Sequence, residues 1–312
     1  MMLLMVAVIP PPTDDSTQLV FMGDIMLGRG VAQAHSDGSW DEALAPLAPY
    51  TTTADLAFAN LESPITAAPL IRETYDLRSP NQTILTLSTS GMDLVSLANN
   101  HMGDSGPSGI VDTIRALNTA GITPVGPDET PIITQRRGLS IAWFAFNDTL
   151  QPLEENTVQE ALASARDRVD LIIVSIHWGS EGASVPDNRQ RSLAQLFADV
   201  GADIIIGHHP HILQPAEWMW GKGRNRPTLV AFSLGNALFD QAAPPGARYC
   251  ALLKIAIHRL GVQDVCVIPF QIDPRTWNTS AASPTTAEAV LKAIQLGLCQ
   301  GVPLKENPST LQ

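Results

Sequence analysis

Residues 204–211 read Ile204-Ile205-Ile206-Gly207-His208-His209-Pro210-His211, an apolar run that breaks at a glycine into three closely spaced imidazoles. A short, continuously apolar and β-branched run suits a strand covered on both faces. The histidines then fall at its C-terminal end. The same arrangement recurs along the chain: Leu19 to Met22 leads into Gly23-Asp24, Leu56 to Ala59 into Asn60-Leu61-Glu62, and Leu94 to Leu97 into Asn99-Asn100-His101. Leu171 to Ile176 leads into His177-Trp178-Gly179, and further apolar runs occupy Leu139 to Phe146 and Leu229 to Phe232.

Helical patterns lie between these runs, at Gly109 to Ala120, Val158 to Arg168 and Arg189 to Val200, with Gly121 and Gly201 where C-caps are expected. Alternation of this kind predicts a layered α/β domain. From Tyr249 to Ile272 the pattern changes to a hairpin turning through Leu260-Gly261, and Ala287 to Leu298 reads as a closing helix with Thr286 as N-cap. Gln241 to Arg248, with Pro244-Pro245-Gly246, is the clearest loop.

At 312 residues and 45% hydrophobic content the chain can bury a large core, and one main domain is the default. Its net charge of −12 would repel a phosphate backbone, and the basic run Lys222 to Arg226 is too short to offset that. A nucleic-acid partner is therefore disfavoured. Cys250, Cys266 and Cys299 form neither a CxxC pair nor an even framework, so they are expected to pack as buried small hydrophobes. The apolar Met1 to Ile9, followed by Pro10-Pro11-Pro12, is too short to span a bilayer and has no basic flank. It reads either as a shortened signal or anchor or as a docked terminus.

In open α/β sheets ligands bind outside the C-terminal strand ends, so these polar segments are expected to meet in one crevice. Asp24 and Glu62 supply hard carboxylate oxygens, Asn100 an amide oxygen, and His177, His209 and His211 imidazole nitrogens. Such a mixed set suits one or two ions of Mn, Zn or Fe better than Ca. Asn60 and His208 would line the same crevice, and His101 could protonate a leaving group. Each of these has a plainer reading when taken singly. Gly-Asp and Asn-Asn commonly make turns or caps, and Glu62 could be a surface charge. The clustering of three histidines within four positions is harder to read that way. His35 and His258 lack the strand-end context and are read as packing or surface residues.

The series Gly23-Asp24-Ile25-Met26-Leu27-Gly28-Arg29, Asn60-Leu61-Glu62-Ser63-Pro64, Ala98-Asn99-Asn100-His101 with Asp104 and Gly106, His177-Trp178-Gly179 with Glu181, Gly207 to His211, and Ser233-Leu234-Gly235-Asn236 resembles the bacterial capsule-synthesis CapA family. The likeness runs from about Leu19 to Ile272. It implies poly-γ-glutamate capsule synthesis or export, an anionic polymer or phosphoester substrate, a capsule-synthesis membrane complex as partner and an address at the cell envelope. The family's domain is similar to calcineurin-like metallophosphoesterases, which implies a four-layer α/β/β/α sandwich. The expected division is an apolar segment and linker over 1–17, the domain over 18–275, and a helix and tail over 276–312.

The resemblance makes Asp24 the first-strand ligand, Asn100-His101 the Asn-His element, and His177, His209 and His211 the later ligands, with Glu62 replacing the usual bridging aspartate. Arg29, Glu181 and Asn236 look like family additions at the crevice. Arg29 would meet an anionic substrate group or neutralise Asp24 or Glu62. Two departures stand out. Phosphoesterases carry a His where Met26 stands, which weakens one metal position, and Ala237 replaces the usual Phe after Gly-Asn. Two functions follow: a metal-dependent hydrolase, or a non-catalytic polymer-binding subunit.

Overall fold

In the computed structural model, which describes residues 16–72, 75–126 and 130–302, each of the seven apolar runs predicted as strands becomes an interior strand of one of two sheets. In chain order the strands are β1 (Thr17–Ile25), β2 (Leu56–Leu61), β3 (Leu94–Ser96), β4 (Thr123–Val125), β5 (Ile132–Arg136), β6 (Leu139–Asn147), β7 (Leu171–His177), β8 (Ile204–His208), β9 (Leu213–Met219), β10 (Thr228–Leu234), β11 (Asn236–Leu238), β12 (Tyr249–His258), β13 (Gly261–Ile272) and β14 (Thr279–Ala281). The helices are α1 (Arg29–Ala34), α2 (Ala48–Thr51), α3 (Ile84–Thr89), α4 (Gly106–Thr119), α5 (Glu155–Arg166), α6 (Asn188–Val200) and α7 (Pro284–Ile294).

The first sheet runs β14-β13-β12-β1-β2-β3-β4, with the short β11 also paired to β1, and the second runs β5-β6-β7-β8-β10-β9. β1 to β4 are mutually parallel, as are β6, β7, β8 and β10, so their C-terminal ends share one rim. Three apolar layers hold the body together. Phe21, Phe58, Trp143, Ile173, Ile206 and Leu253 pack between the sheets. Met22, Val31, Leu44, Leu87 and Leu117 fill the space between the first sheet and α1 to α4, and Phe144, Leu162, Val174, Leu193 and Phe197 that between the second sheet and α5 and α6. The result is a four-layer α/β/β/α sandwich. Each fully buried aliphatic or phenyl side chain in these layers contributes about 1.5–3 kcal/mol.

The predicted hairpin is present as β12 and β13, with His258 opposite Gly261. The closing helix starts earlier than expected. Ser283 Oγ, not Thr286, is the cap; it accepts from Thr286 N at 3.2 Å, and Pro284 occupies the first turn. The helix ends at Ile294 because Gln295 turns left-handed (φ 60). Val290 and Ile294 enter the layer between the sheets, and β14 extends the first sheet, so residues up to 302 pack on the same body. Gln241 to Arg248 is a loop containing one tight turn, Pro245–Arg248.

The expectation for the cysteines is overturned in part. Cys250 is a buried free thiol, but Cys266 and Cys299 form a disulfide. Their separation of 33 residues hides the pairing in the sequence, while a bridge between Val267 and Leu298 brings their Cα atoms to 4.9 Å. The apolar N-terminal segment and most of its linker lie outside the described residues. Among the described residues no helix is long and apolar enough to cross a membrane.

Candidate metal centre

The strand ends converge because register and two close backbone approaches force them together. β1 and β2 align Asp24 with Asn60, β1 and β11 align Asp24 with Asn236, and β7 and β8 align His177 with His208. Gly23 lies so close to the next layer of backbone that a Cβ there would stand 1.9 Å from Gly235 O. Gly207 is equally constrained, its Cβ position falling 2.0 Å from Phe232 O. Beyond β8 the chain turns sharply, with His209 and His211 at φ 95 and 57. Non-glycine residues in this region store strain, and such strain concentrates at functional sites.

Glu62 is the hub. Its buried Oε1 has no hydrogen-bond partner, and it faces three imidazole Nε2 atoms: His211 at 3.7 Å, His177 at 3.8 Å and His101 at 4.0 Å. Metal–ligand bonds of about 2.0–2.2 Å put neighbouring donor atoms roughly 3–4 Å apart, so this spacing fits donors that share an ion rather than hydrogen-bond one another. Two donor triads have atoms within 4.8 Å of one another: Asp24 with Glu62 and His177, and Glu62 with His209 and His211. Glu62 belongs to both, as a bridging carboxylate must. Asn100 Oδ1 joins the first triad, 2.8 Å from His177 Nε2. His209 Nδ1 is also buried without a partner. The donor set thus fits one or two divalent ions.

Around these donors lies a layer of clamps. Asp24 Oδ1 accepts from Asn60 Nδ2 at 2.9 Å, and Asp24 Oδ2 from His209 N at 3.1 Å. His208 Nδ1 stands 3.1 Å from Asp24 Oδ1 without hydrogen-bond alignment, so this residue lines the centre from beneath. Asn236 Oδ1 meets His211 Nδ1 at 2.9 Å while its own amide donates to Ala247 O. Such outer contacts fix the orientation of ligating side chains.

Charge is arranged to suit a cation. Burial alone would raise the Asp24 carboxyl, but the imidazoles of His208 and His211, 3.1 and 3.3 Å from its oxygens, hold it well below the usual carboxylate range. Burial pushes Glu62 well above that range, and the charges of Asp24 and Glu181 add to the effect. His209 is lowered to about 4 by burial and by the charge of His211. His211 rises to about 9 despite burial, because Glu62 and Asp24 flank it. An imidazolium between two carboxylates occupies the electrostatic position that a divalent cation would take over.

Three expected residues sit differently from the rest. Met26 is buried in the outer core with Sδ accepting from Gly28 N at 3.0 Å, so it offers no replacement for the missing imidazole. Arg29 pairs with Asp240 rather than with Asp24 or Glu62. Glu181 is exposed and acts on Glu62 and His209 through charge alone. Ala237 is buried, and Phe239, two positions on, takes up the packing with its ring 4.7 Å from that of His211. His35 is a packing residue beside Trp40, and His258 is half-buried.

Two residues that the sequence reading named in its motif series without a role at the centre hold the loop beside it. Asn99 Nδ2 donates to Asn60 Oδ1 and Leu61 O, while its Oδ1 accepts from His101 N and Met102 N, locking the loop that presents Asn100 and His101. Asp104 Oδ2 lies 2.8 Å from His101 Nδ1, so Nε2 is the nitrogen turned toward Glu62. The spacing of three residues between a histidine and an acid was the available signal.

A two-sheet sandwich that gathers carboxylate, amide and imidazole donors at one rim defines a layered α/β protein with a candidate divalent-metal centre. Within that class the description "Bacterial capsule synthesis protein PGA_cap" matches residues 18–241, and the chain belongs to that family. It is 29% identical over 289 residues to the "Capsule biosynthesis protein CapA" of Bacillus anthracis, covering 83% of this chain and 68% of that protein. It is likewise 29% identical over 287 residues to the "PGA biosynthesis protein CapA" of Bacillus subtilis (strain 168), covering 85% and 74%. A crystal structure of a hypothetical protein from Thermus thermophilus shares the fold, with a TM-score of 0.54 and 16% identity over 82% of this chain and 99% of that one.

Proposed function

We propose that this chain works in the synthesis or export of an anionic poly-γ-glutamate-type polymer, as a metal-dependent hydrolase that cleaves a phosphoester or an amide of that polymer. The observation that carries the reading is the buried, unpartnered Glu62 Oε1 facing the Nε2 atoms of His101, His177 and His211. Asp24, Glu62, Asn100, His177, His209 and His211 would hold one or two ions of Mn, Zn or Fe. When bound, such ions polarise the scissile group and lower the pKa of water.

Hydrolysis adds the hydroxyl of water to phosphorus or carbonyl carbon and a proton to the leaving atom. His101, its Nδ1 held by Asp104, turns Nε2 toward the centre and is placed to supply that proton. Asn60, Asn99 and Asn236 keep the donors oriented. Arg29, fixed by Asp240, contributes positive potential at the rim. The Cys266–Cys299 disulfide supports an exported location at the cell envelope, since disulfides persist in oxidising compartments. There the proposed partners are the polymer and a capsule-synthesis membrane complex.

A second reading, a non-catalytic polymer-binding or assembly subunit, is favoured by one observation: Met26 is part of the core where a further ligand is expected. The experiment that separates them measures metal content by elemental analysis and products from phosphoesters and poly-γ-glutamate, for the parent protein, Asp24→Ala and His209→Ala. The hydrolase reading expects bound ion and product in the parent and loss of both in the variants. Binding of polymer that survives chelation, with no product from either substrate, would decide for the assembly subunit.

A further inference from the structure

Two guanidinium groups flank the centre, and they are held in different ways. Arg29 is matched: its Nε lies 3.1 and 3.2 Å from the two carboxylate oxygens of Asp240, Nη2 bonds the same group, and the guanidinium stands 5.5 Å over the Phe239 ring. Arg72 is not matched in this way. Its side chain is 51% exposed, Nη1 makes one long hydrogen bond to Asn100 O at 3.4 Å, and Asp104 Oδ1 is 4.0 Å away. Asp104 is already engaged by His101 Nδ1.

Everything Arg72 reaches belongs to the loop that carries Asn100 and His101. Its backbone is fixed to the same loop, since Ile71 N and Arg72 N both donate to Asp104 O, at 2.7 and 3.3 Å. The stem is therefore anchored while the charged end stays available to solvent. Space lies next to it. A Cβ on Gly103 would meet nothing nearer than Arg72 Nη1, at 4.0 Å, and Gly103 lines a cavity of about 240 Å3 with Asn99, Met102, Phe146 and Asn147. Such a recess, part apolar and part amide, suits the two main-chain methylenes of a γ-linked glutamate unit, with its amide against the amide side chains. A chain with a net charge of −12 repels an anionic polymer as a whole, so attraction has to be local.

We infer that Arg72 is a substrate-binding residue that takes the free α-carboxylate of a γ-linked unit beside the scissile bond, with the main-chain methylenes of that unit against the Gly103 recess. This rests on the polymer-substrate reading above. An arginine bound to a carboxylate through two parallel hydrogen bonds recognises its geometry as well as its charge.

The test uses the full metal-loaded chain and a γ-linked glutamate oligomer, with binding followed by calorimetry at low and high salt. Arg72→Gln is expected to weaken binding by about tenfold or more, to leave metal content at the parent level, and to raise KM more than it lowers kcat. Arg72→Lys is expected to restore part of the affinity, and the gap between parent and Arg72→Gln to shrink at high salt. Equal binding by the parent and Arg72→Gln overturns the assignment of Arg72 alone. A metal-loaded parent that binds no oligomer overturns the polymer reading itself, and this inference with it.

Discussion

Glu62 Oε1 and His211 Nε2 lie 3.7 Å apart at the centre of the strand-end cluster, and the carboxylate oxygen has no hydrogen-bond partner. A buried, unpaired carboxylate oxygen is costly unless something else satisfies it. Glu62→Gln, nearly unchanged in shape, should therefore lose ion affinity by about 10- to 100-fold or more. Thermal denaturation with and without chelator provides the measurement. With free ion at about 100 times the parent's Kd, chelation should cost the parent about 2.7 kcal/mol, whereas at the same free ion a 10- to 100-fold loss of affinity should cut the response of Glu62→Gln to about 0.4–1.4 kcal/mol. A full chelator response in the variant would remove Glu62 from the ligand set.

The pairing of His101 with Asp104 makes a kinetic prediction. His101→Gln should keep its metal but lose about 10²- to 10⁴-fold in kcat on substrates whose leaving group needs a proton. With an activated aryl leaving group the loss should be much smaller. Asp104→Asn should reduce the rate less, because the amide still meets Nδ1 but orients the ring less firmly. Equal losses on both leaving groups would argue against His101 as the acid.

Far from the centre, Asp203 ties the second sheet together. It accepts from Arg166 Nη1 at 3.0 Å, Arg226 Nε at 2.8 Å and Ile172 N at 2.9 Å, and also pairs with Arg224. Asp203→Ala leaves these donors without their common acceptor. The expected cost is about 3 kcal/mol, at the low end for a broken buried pair because the guanidinium groups keep some water contact. Urea denaturation should show it, with metal content unchanged in the folded variant.

Asp93 gives a pH dependence with a definite sign. Its carboxylate accepts from Ala57 N at 2.8 Å, and burial raises its pKa. A folded pKa above the unfolded one means that the folded protein holds this proton more tightly. The associated stability is full below the unfolded carboxylate value of about 3.9 and is lost as pH rises through the folded pKa. Asp93→Asn keeps an acceptor for Ala57 N without the charge. The variant should gain on the parent with rising pH and then level off, as followed by urea midpoints from pH 3 to 7. A difference that stays flat with pH would contradict this.

What the sequence made legible follows from burial. The seven apolar runs predicted as strands are all interior strands, where both faces are covered and the alternation that would betray an exposed face is missing. The strands that escaped notice include the four sheet edges, β4, β5, β9 and β14, together with the three-residue β11. An edge strand such as β5 is half-exposed and carries Thr134, Gln135 and Arg136, so it reads as loop. The convergence of the candidate donors was legible because strand ends expose chemistry at fixed places. The clamps were not, since Asn99 and Asp104 act through loop geometry, and Asp240 lies 211 residues from its partner Arg29. The Cys266–Cys299 disulfide was hidden for the same reason.

Because the proposed donors run from Asp24 on β1 to His211 beyond β8, and the two triads draw on both sheets, no piece of the chain shorter than the stretch from Asp24 to His211 contains the centre. Each donor is supplied by a segment that means nothing to an ion until the sandwich has closed. Contacts this distant along the chain form late and slowly. A captured ion is then a certificate of completed assembly, which a fragment, a half-folded intermediate or a swapped sheet cannot display.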